Sequence, residues 1–332
     1  MSRSKYKRTT KVDRKISRKV IMKKVVTIGG GTGQFTLLSA IKDLKIDLTS
    51  VVSMTDSGGS TGRLRDEYGV LPTGDVLKCL IALSRYKDAR DILQTRFLKK
   101  KKLKNHNAGN LLLVFLSQYL SGDFPSAVEA LGEILKIKGT VLPVTTDKAT
   151  LVAELENGKL IYGETNIDVV KEDRDKIKKT FLVPHGGDLK VHEPVVKAIE
   201  SADYIVVGPG DLYTSLVPNF LVPGVVEAIQ ASKGKLIYVL NIMTKHGETD
   251  DMKGEEFIKI IEKHLGRKIT LVLANNQLPE KEVVDKYKKE GSESIQISKE
   301  RKNISKRDLL SPGDLARHDI GKLKGVLKEI LV

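Results

Sequence analysis

The sequence KVVTIGGGTG, residues 24–33, decides the fold. Its first half, Lys24 to Ile28, is rich in β-branched residues and is typical of a short buried strand. Its second half is a glycine run, after which residues 35–44 carry apolar side chains at helical spacing. A second apolar run, residues 48–54, follows. Strand, glycine loop, helix and strand in this order predict the opening unit of a parallel α/β sheet.

The same alternation returns in the second half of the chain. Three predicted helices alternate there with three predicted strands, at 194–200, 204–207, 222–231, 236–240, 254–264 and 269–274. Between the halves, residues 139–191 contain short strand-like pieces, the first at 141–144, and the hairpin signal Asn157-Gly158. We interpret them as a β-rich insertion. Residues 278–310 are predicted to be irregular, and the last helix is predicted at 321–331.

The sequence therefore predicts an α/β fold that is Rossmann-like and doubly wound. A mostly parallel sheet would have helices on both faces and a small β-rich insertion at about 139–191. Its 332 residues, 40% apolar and 30% charged, fit one globular domain at 22–332 and exclude a mainly disordered chain. The single cysteine, Cys79, excludes a disulfide-rich secreted scaffold. No apolar run reaches the roughly 18 residues of a transmembrane helix, and no signal peptide is recognised, so we expect a cytoplasmic protein.

Most of the net charge of +15 lies at the N-terminus. Residues 1–24 hold eleven basic residues and one acidic residue, whereas the remaining chain has a net charge of only +5. Residues 1–21 are interpreted as a basic, disordered leader, either a solvated tail or an arm that contacts anionic partners such as nucleic acid or a membrane surface. A second basic run, Lys99 to Lys102 with Lys104, has the same two interpretations.

Four predicted strands end in loops rich in Gly, Ser, Thr, Asn and Asp. In a parallel sheet these loops gather at one edge, where ligands bind outside the carboxyl ends of the strands. Glycines allow backbone N–H groups to approach an anion, and a following helix adds its positive dipole end. Residues 29–33 fit this role, with a tight packing turn as the alternative. They match neither the dinucleotide fingerprint nor the P-loop.

The loop predicted at 55–65, TDSGGSTGRLR, offers small hydroxyls, free backbone and two arginines. Arginine can hold phosphate oxygens with two hydrogen bonds at once, although a mobile, solvated loop is the alternative. Asp56 is suited either to ribose hydroxyls or to capping its own turn. Asp75 is interpreted either as a helix cap or as a residue that contacts a ligand or a metal, and Asn107 and Asn110 as caps or ligand amides. The late loop GPGDLYTS, residues 208–215, repeats the strand–glycine–helix pattern.

We predict no catalytic residue and no metal ligand. Cys79 lies among apolar residues, and His185 and His192 lack metal-ligand spacing. The predicted ligand-binding residues all lie in or beside the polar loops at strand ends. They are Gly30, Gly31, Thr32, Gly33, Asp56, Ser57, Gly58, Gly59, Ser60, Arg63, Arg65, Asp75, Asn107, Asn110, Gly208, Gly210, Tyr213, Thr214, Ser215, Asn219, Asn241 and Thr244.

Six motifs taken together resemble the YvcK family of gluconeogenesis factors, also called putative morphogenesis proteins, which is related to the 2-phospho-L-lactate transferase CofD. They are IGGGTG at 28–33, TDSGGSTGRLR at 55–65, TGD at 73–75, NAGN at 107–110, GPGDLYTSLVPNFLVPG at 208–224 and NIMTKHGET at 241–249. The resemblance implies a Rossmann-like fold that binds a nucleotide sugar, in particular UDP-N-acetylglucosamine (UDP-GlcNAc). It also implies a cytosolic role in carbon metabolism, cell shape and cell-wall precursor supply.

The first functional hypothesis is a non-catalytic regulator that binds a nucleotide sugar. Residues 29–33 and 57–65 would hold the diphosphate, and Asp56, Asn110 and residues 208–215 would hold ribose, base or sugar. The alternative is a CofD-like transferase that uses Mg²⁺ and moves a phosphorylated small acid from a nucleotide diphosphate. Residues 56–60 read DSGGS, however, where the transferases typically have a GDD-type sequence. The incomplete dinucleotide fingerprint disfavours an NAD(P)-dependent oxidoreductase. Protein partners in envelope synthesis and a homo-oligomer are compatible with the first hypothesis.

Overall fold

The computed structural model describes residues 22–98, 103–170, 174–298 and 301–332. Ten strands occur in the described residues: β1 (Lys23–Gly29), β2 (Ile46–Val52), β3 (Thr140–Pro143), β4 (Ala149–Leu155), β5 (Leu160–Tyr162), β6 (Ile177–Pro184), β7 (Tyr204–Val207), β8 (Lys235–Val239), β9 (Leu271–Asn275) and β10 (Ile304–Arg307). The basic leader at 1–21 lies outside the described residues.

Thirteen α-helices and one π-helical turn, Leu212–Leu216, occur in the same described ranges. The helices are α1 (Gly31–Ile41), α2 (Gly59–Tyr68), α3 (Gly74–Leu83), α4 (Ala89–Gln94), α5 (Ala108–Tyr119), α6 (Phe124–Ile134), α7 (Glu164–Asp168), α8 (Glu193–Glu200), α9 (Val217–Phe220), α10 (Val225–Ala231), α11 (Gly254–Leu265), α12 (Lys281–Lys289) and α13 (Ile320–Leu331).

Seven of the strands form one parallel sheet, in the order β10-β9-β8-β7-β1-β2-β3. The chain starts at β1, moves outward through β2 and β3, and then returns to β7 on the other side of β1. The order therefore reverses between β1 and β7, and the loops that follow these two strands turn in opposite directions. Such a topological switch point leaves a crevice at the carboxyl edge of a parallel sheet. The predicted Rossmann-like, doubly wound fold is confirmed.

The first strand is buried on both faces, as expected for a central parallel strand covered by helices on both sides. Val25, Val26, Thr27 and Ile28 are all buried. The buried Gln34 amide in α1 donates hydrogen bonds to the hydroxyls of Thr27, at 2.7 Å, and Ser50, at 3.0 Å. These bonds connect α1 to two neighbouring strands, so that the loop at the start of α1 is held on a rigid base.

Two sequence-based interpretations were wrong at the edges of the sheet. The strand predicted at 141–144 is β3, which pairs in parallel with β2 and so belongs to the main sheet. The insertion proper is a three-stranded antiparallel sheet with the order β5-β4-β6. Residues 278–310 contain α12 and the edge strand β10, because the apolar Val283 and Tyr287 lie at helical spacing among lysines and β10 is short and polar.

Among the described residues, no single helix is long and apolar enough to cross a membrane. One bent pair of helical segments, Leu212–Phe220 with Val225–Ala231, is long and apolar enough when its two parts are taken together. Val217, Phe220 and Val225 in this pair are buried in the main hydrophobic core. The pair is therefore part of the core that follows the loop after β7.

Candidate functional site

The loops after β1 and β7 contact each other directly at the switch point. A Cβ atom on Gly33 would lie 2.1 Å from the carbonyl oxygen of Pro209 and 3.0 Å from the nitrogen of Gly210. Only glycine fits here, because the neighbouring atoms belong to the backbone and have little freedom to move. Gly31 also has a φ of +64°, a conformation that L side chains rarely adopt. The glycine run is therefore required by close packing and by backbone conformation.

An open cavity of about 400 Å³ lies at the mouth of these two loops. Gly30 is the N-cap of α1 and makes no side-chain cap hydrogen bond, so the first N–H groups of α1 lack the partner that a capping side chain would supply. A helix start of this kind attracts anions. The cavity lining includes Gly30, Gly31, Thr32, Gly33, Gly210, Asp211, Ser215, Asn241, Thr244, Lys245, Tyr287, Glu290, Arg317 and His318.

Eight of the predicted ligand-binding residues line this cavity together. They are Gly30, Gly31, Thr32, Gly33, Gly210, Ser215, Asn241 and Thr244. Asn241 follows β8, and its side-chain oxygen accepts a hydrogen bond of 3.0 Å from the backbone N–H of Gly210. This bond connects the end of β8 to the loop after β7. The three strand ends therefore form one continuous surface, as the parallel topology predicts.

Three predicted residues in and after the late loop are buried and have partners within the protein. The N–H of Tyr213 and the hydroxyl of Thr214 donate to the carboxylate of Glu248, at 3.1 and 2.9 Å. The side-chain amide of Asn219 donates to the carbonyl oxygens of Ser215 and Leu216, at 2.9 and 3.3 Å. These contacts stabilise the π-helical turn, whereas Gly208 lies one residue after β7 with a φ of +72°.

The described lining of the cavity includes none of the residues predicted at 55–65. α2 begins at Gly59, so that Arg63 and Arg65 belong to a helix and not to a loop. The Arg63 guanidinium donates to the carbonyl oxygen of Lys104 at 2.9 Å, and Arg65 forms an ion pair of 3.0 Å with Asp66. A phosphate-binding role for these arginines remains a prediction.

The start of α5 packs on the start of α2 through a polar network. The Ser60 hydroxyl lies 2.9 Å from Nδ1 of His106 and accepts a hydrogen bond of 3.3 Å from the Asn110 amide. Asn107 is the N-cap of α5, where its side-chain oxygen accepts a bond of 2.7 Å from the N–H of Asn110. The Asn110 side-chain oxygen is buried and has no hydrogen-bond partner within the described structure. Asn107 therefore acts as a cap, while Asn110 keeps one free acceptor.

Carboxylates from three elements gather next to this network. The Asp56 side chain accepts a hydrogen bond of 2.9 Å from the N–H of Gly58, and Asp75, in the first turn of α3, forms an ion pair of 3.0 Å with Lys78. Glu164, from the insertion helix α7, accepts a bond of 3.3 Å from the N–H of Ser57. Burial, followed by the neighbouring carboxylates, raises the pKa of Asp56 to about 6 and that of Glu164 to about 7.

A second group of carboxylates lies at the wall of the cavity. Ligand oxygens of Asp168, Asp211 and Glu248 all lie within 4.8 Å of one another, and Lys245 pairs with Asp168 at 3.0 Å. Burial, followed by the charge of Asp211, raises the pKa of Glu248 to about 8. Three oxygen ligands at this spacing suit a hard divalent cation such as Mg²⁺. We call Asp168, Asp211 and Glu248 the carboxylate group.

The sequence analysis missed the part of the site that comes from the insertion. Besides Glu164 and Asp168, Thr165 of α7 donates its N–H to the Ser57 hydroxyl at 3.0 Å. Glu248 lies outside the insertion, within the motif NIMTKHGET, and this motif was the sequence signal that could have identified it. The short α7 carries no phosphate-loop or metal-ligand pattern, so that only the folded structure brings its acids to the site.

Comparison with known proteins identifies the family. The family model for the 2-phospho-L-lactate transferase CofD matches residues 25–311. The chain is 40% identical to a putative gluconeogenesis factor of Thermotoga maritima over 319 residues, which cover 92% of this chain and 99% of the relative. The chain belongs to the CofD-like family of gluconeogenesis factors. The family resemblance inferred from the six motifs is confirmed.

Other members support the same family assignment. The gluconeogenesis factor of Bacillus subtilis is 34% identical, with 93% of this chain and 98% of the relative covered. A crystal structure of a Bacillus halodurans protein superposes with a TM-score of 0.86 at 35% identity, and the match covers 92% of this chain and 99% of that one. The family fold therefore extends over nearly all of the domain described above.

Proposed function

We propose that this chain binds a nucleotide sugar of the UDP-GlcNAc type in the cavity at the switch point. The observation that carries the proposal is that one cavity of about 400 Å³ joins the start of α1, which lacks a side-chain cap, to Lys245. A diphosphate would receive backbone N–H groups from Gly31 to Gly33 and a charge contact from Lys245. Gly31 and Gly33 leave their own N–H groups without side chains in front of them.

The remaining lining suits the other parts of such a ligand. Asp211 and Glu290 can accept hydrogen bonds from ribose or sugar hydroxyls, and the amide of Asn241 can both donate and accept. The half-buried Tyr287 offers an aromatic surface on which a base can stack. Arg317 adds a second positive charge at the cavity wall. The lining therefore combines groups that recognise an anion, several hydroxyls and a flat ring.

The wider proposal is a cytoplasmic regulator of carbon metabolism. The names of the relatives, gluconeogenesis factors, support a role in carbon metabolism. Roles in cell shape and cell-wall precursor supply, with protein partners in envelope synthesis, follow from the family resemblance. Because UDP-GlcNAc is a wall precursor, its binding would report precursor supply to such partners.

A CofD-like transferase is the second candidate, and the carboxylate group together with the family match favours it. Asp168, Asp211 and Glu248 would hold Mg²⁺, which would neutralise the diphosphate and so assist the departure of the nucleotide. Without the cation these carboxylates repel a diphosphate. In this chain Lys245 offsets part of that repulsion through its ion pair with Asp168.

Isothermal titration with UDP-GlcNAc, UDP, uridine, GDP and NADH tests the proposal, with and without Mg²⁺. Ligand at about 100 times its Kd adds roughly 2.7 kcal/mol to the free energy of unfolding, so UDP-GlcNAc should also raise the Tm. The Asn241→Ala variant should lose binding because it frees the Gly210 loop, while Asn157→Ala, in an exposed turn, should keep it. A Tm raised by NADH and unchanged by UDP-GlcNAc would contradict the proposal.

Chromatography of the same reactions separates the two candidates. A regulator should return UDP-GlcNAc intact after long incubation with Mg²⁺ and a small hydroxy acid, whose hydroxyl could accept the phosphoryl group as the diphosphate bond breaks. Time-dependent release of a nucleoside monophosphate would favour the transferase.

A further inference from the structure

His318 brings a buried, unpaired ring nitrogen to the wall of the cavity at the switch point. The residue lines this cavity and is only 9% exposed. Its Nε2 atom is buried and has no hydrogen-bond partner within the described structure. Buried polar atoms are almost always paired, because an unpaired one costs free energy. An unpaired nitrogen at a cavity wall is therefore suited to a partner on the ligand.

The other ring nitrogen, Nδ1, determines what Nε2 can do. The ring forms a hydrogen bond with the backbone of Leu240, and because Nε2 has no partner, Nδ1 is the donor to the Leu240 carbonyl oxygen. Burial lowers the pKa of His318 to about 4, so that the ring is neutral at neutral pH. A neutral imidazole with its hydrogen on Nδ1 has a bare lone pair on Nε2. Nε2 is therefore an acceptor and not a donor.

The backbone on which His318 lies is held by contacts on both sides. Leu310 and His318 form an antiparallel bridge, and the N–H of Asp319 donates to the carbonyl oxygen of Leu309 at 2.8 Å. Asp319 is also the N-cap of α13, where its side chain accepts from the backbone. With the bond from Nδ1 to Leu240, these contacts fix the direction of Nε2.

The cavity is apolar near His318. One small hydrophobic cluster and a ring that packs against it contribute four residues to the lining, namely Ile242, Met243, Ala316 and Tyr287. Leu310, the bridge partner of His318, packs against the same cluster. Apolar walls favour a flat base, whereas the bare lone pair of Nε2 repels phosphate oxygens. This part of the cavity therefore suits the nucleobase, while the start of α1 suits the diphosphate.

We propose that Nε2 of His318 selects the base of the bound nucleotide by accepting a hydrogen bond from a ring N–H. This inference rests on the proposed function, because it takes the cavity to bind a nucleotide. Uracil and guanine have such an N–H on their pairing edge, whereas cytosine and adenine have a bare ring nitrogen there. With cytosine or adenine, two acceptors would face each other and both would remain unpaired.

Isothermal titration of the wild-type chain at neutral pH tests this selection with UDP, CDP, GDP and ADP. UDP should bind about tenfold or more tightly than CDP, since CDP leaves a buried acceptor unpaired. UDP methylated at N3, which lacks the ring N–H, should lose at least the same factor. A preference for GDP over ADP, with UDP and CDP both weak, would support the ring N–H and assign guanine as the base. Binding of UDP and CDP within about twofold would overturn the inference.

Two substitutions separate base selection from a structural role of His318. His318→Asn keeps an amide donor near Nδ1 for the Leu240 carbonyl and removes the acceptor at Nε2. It should weaken UDP about tenfold or more and leave CDP within about twofold of the wild type. His318→Gln places an amide near Nε2 that can accept or donate, so it should narrow the difference between UDP and CDP. The matched control His185→Asn, at an exposed site in the insertion, should bind both as the wild type does.

Equal losses of UDP and CDP binding in His318→Asn would also overturn the inference, because His318 would then act on a group that both nucleotides share or only on the fold. If the variants do not fold, the wild-type titrations decide by themselves. A wild-type chain that binds none of the nucleotides contradicts the proposed function and this inference with it. A wild-type chain that binds UDP and CDP equally contradicts this inference alone, so that the two failures are distinguishable.

Discussion

The glycine crevice, formed by residues 30–33 and 208–211, and the carboxylate group lie side by side at one edge of the sheet with opposite electrostatic character. The crevice presents the start of α1, whose N–H groups favour an anion. The carboxylate group holds three acids, of which Asp168 forms an ion pair with Lys245. Asp211 belongs to both regions because it follows Gly210 in the late loop and lines the cavity.

The two regions also differ in how the chain builds them. The crevice comes from two segments whose glycines are fixed by backbone contacts, such as Gly33 on Pro209. The carboxylate group needs three distant segments, and one acid, Asp168, comes from the insertion. The backbone N–H donors of the crevice can bind a diphosphate while the neighbouring carboxylate group binds a cation. Each region can be tested by substitutions that leave the other unchanged.

The largest effect is expected at the crevice, for Gly33→Ala. The added Cβ would clash with the carbonyl oxygen of Pro209, so that the loops after β1 and β7 must separate. We expect a loss of about 1–3 kcal/mol in the free energy of unfolding and loss of detectable UDP-GlcNAc binding. Urea denaturation and isothermal titration measure the two quantities.

Gly325→Ala is the matched control for this variant. Gly325 lies in α13 without a positive φ, and a Cβ added there would meet no described atom within 4 Å beyond its own helix and chain neighbours. Alanine there should raise stability by about 0.5–1 kcal/mol, because glycine is a poor helix former. Equal tolerance at Gly33 and Gly325 would show that the crevice does not depend on the close approach of its loops.

The next effect concerns the positively charged side chain that contacts the diphosphate. The cavity lining favours Lys245, whereas the sequence alone favoured Arg63 and Arg65. A hydrogen bond to a charged group contributes about 1.5–3 kcal/mol, so Lys245→Met should weaken UDP and UDP-GlcNAc binding by about 10- to 150-fold and leave uridine unaffected. Arg63→Ala, measured by the same titration, should have a smaller effect. A larger loss of binding for Arg63→Ala than for Lys245→Met would indicate that residues 57–65 bind the diphosphate.

A smaller effect is expected from the pH dependence of the carboxylate group. The folded pKa of Glu248, about 8, lies above its ordinary value, so the folded protein holds a proton that the unfolded chain has released. The contribution of the Glu248 proton to the free energy of unfolding is therefore fully present below the ordinary glutamate pKa, and it is lost as the pH rises through about 8. Between about pH 6 and about pH 8 we expect a fall of about 1–3 kcal/mol in the free energy of unfolding in EDTA.

The variant Glu248→Gln isolates this contribution. It removes the titrating group while keeping an oxygen that can accept from Thr214. Denaturation at several pH values should give a flatter profile for the variant than for the wild type. Identical profiles would show that the buried carboxylate does not control the pH dependence.

Much of the fold was predictable because its signals are local. The run Lys24 to Gly33 identified a strand, a loop and a helix start from adjacent residues. Later strands followed from β-branched runs of the same kind. Residues 278–310 were misjudged because lysines dilute the apolar spacing of α12, and β3 was misplaced because strand pairing depends on distant residues. Pairing partners are a property of the folded chain.

The sequence predicted those parts of the site in which the backbone conformation requires particular residue types. Glycine and asparagine at strand ends identified the cavity loops, and Gly33 and Asn241 do line the cavity. Glu164 and Asp168 were missed because α7 is placed by the insertion, whose path no local pattern reveals. Tyr213 and Asn219 were chosen for their polar groups, yet the structure uses their backbone N–H and side-chain amide to hold the π-helical turn.

The smallest effect is expected for deletion of the leader, which should not change ligand binding at the crevice. Residues 1–21 precede β1, and every residue that lines the described cavity lies at Gly30 or later. Deleting residues 1–21 should therefore leave the Kd for UDP-GlcNAc unchanged within about twofold, a difference of only about 0.4 kcal/mol. The same deletion removes most of the net charge and should weaken any salt-sensitive binding to anionic polymers or vesicles. Titration and vesicle sedimentation at two salt concentrations separate these effects. A truncated chain that keeps its wild-type Tm without ligand but no longer binds UDP-GlcNAc would place the leader in the ligand site.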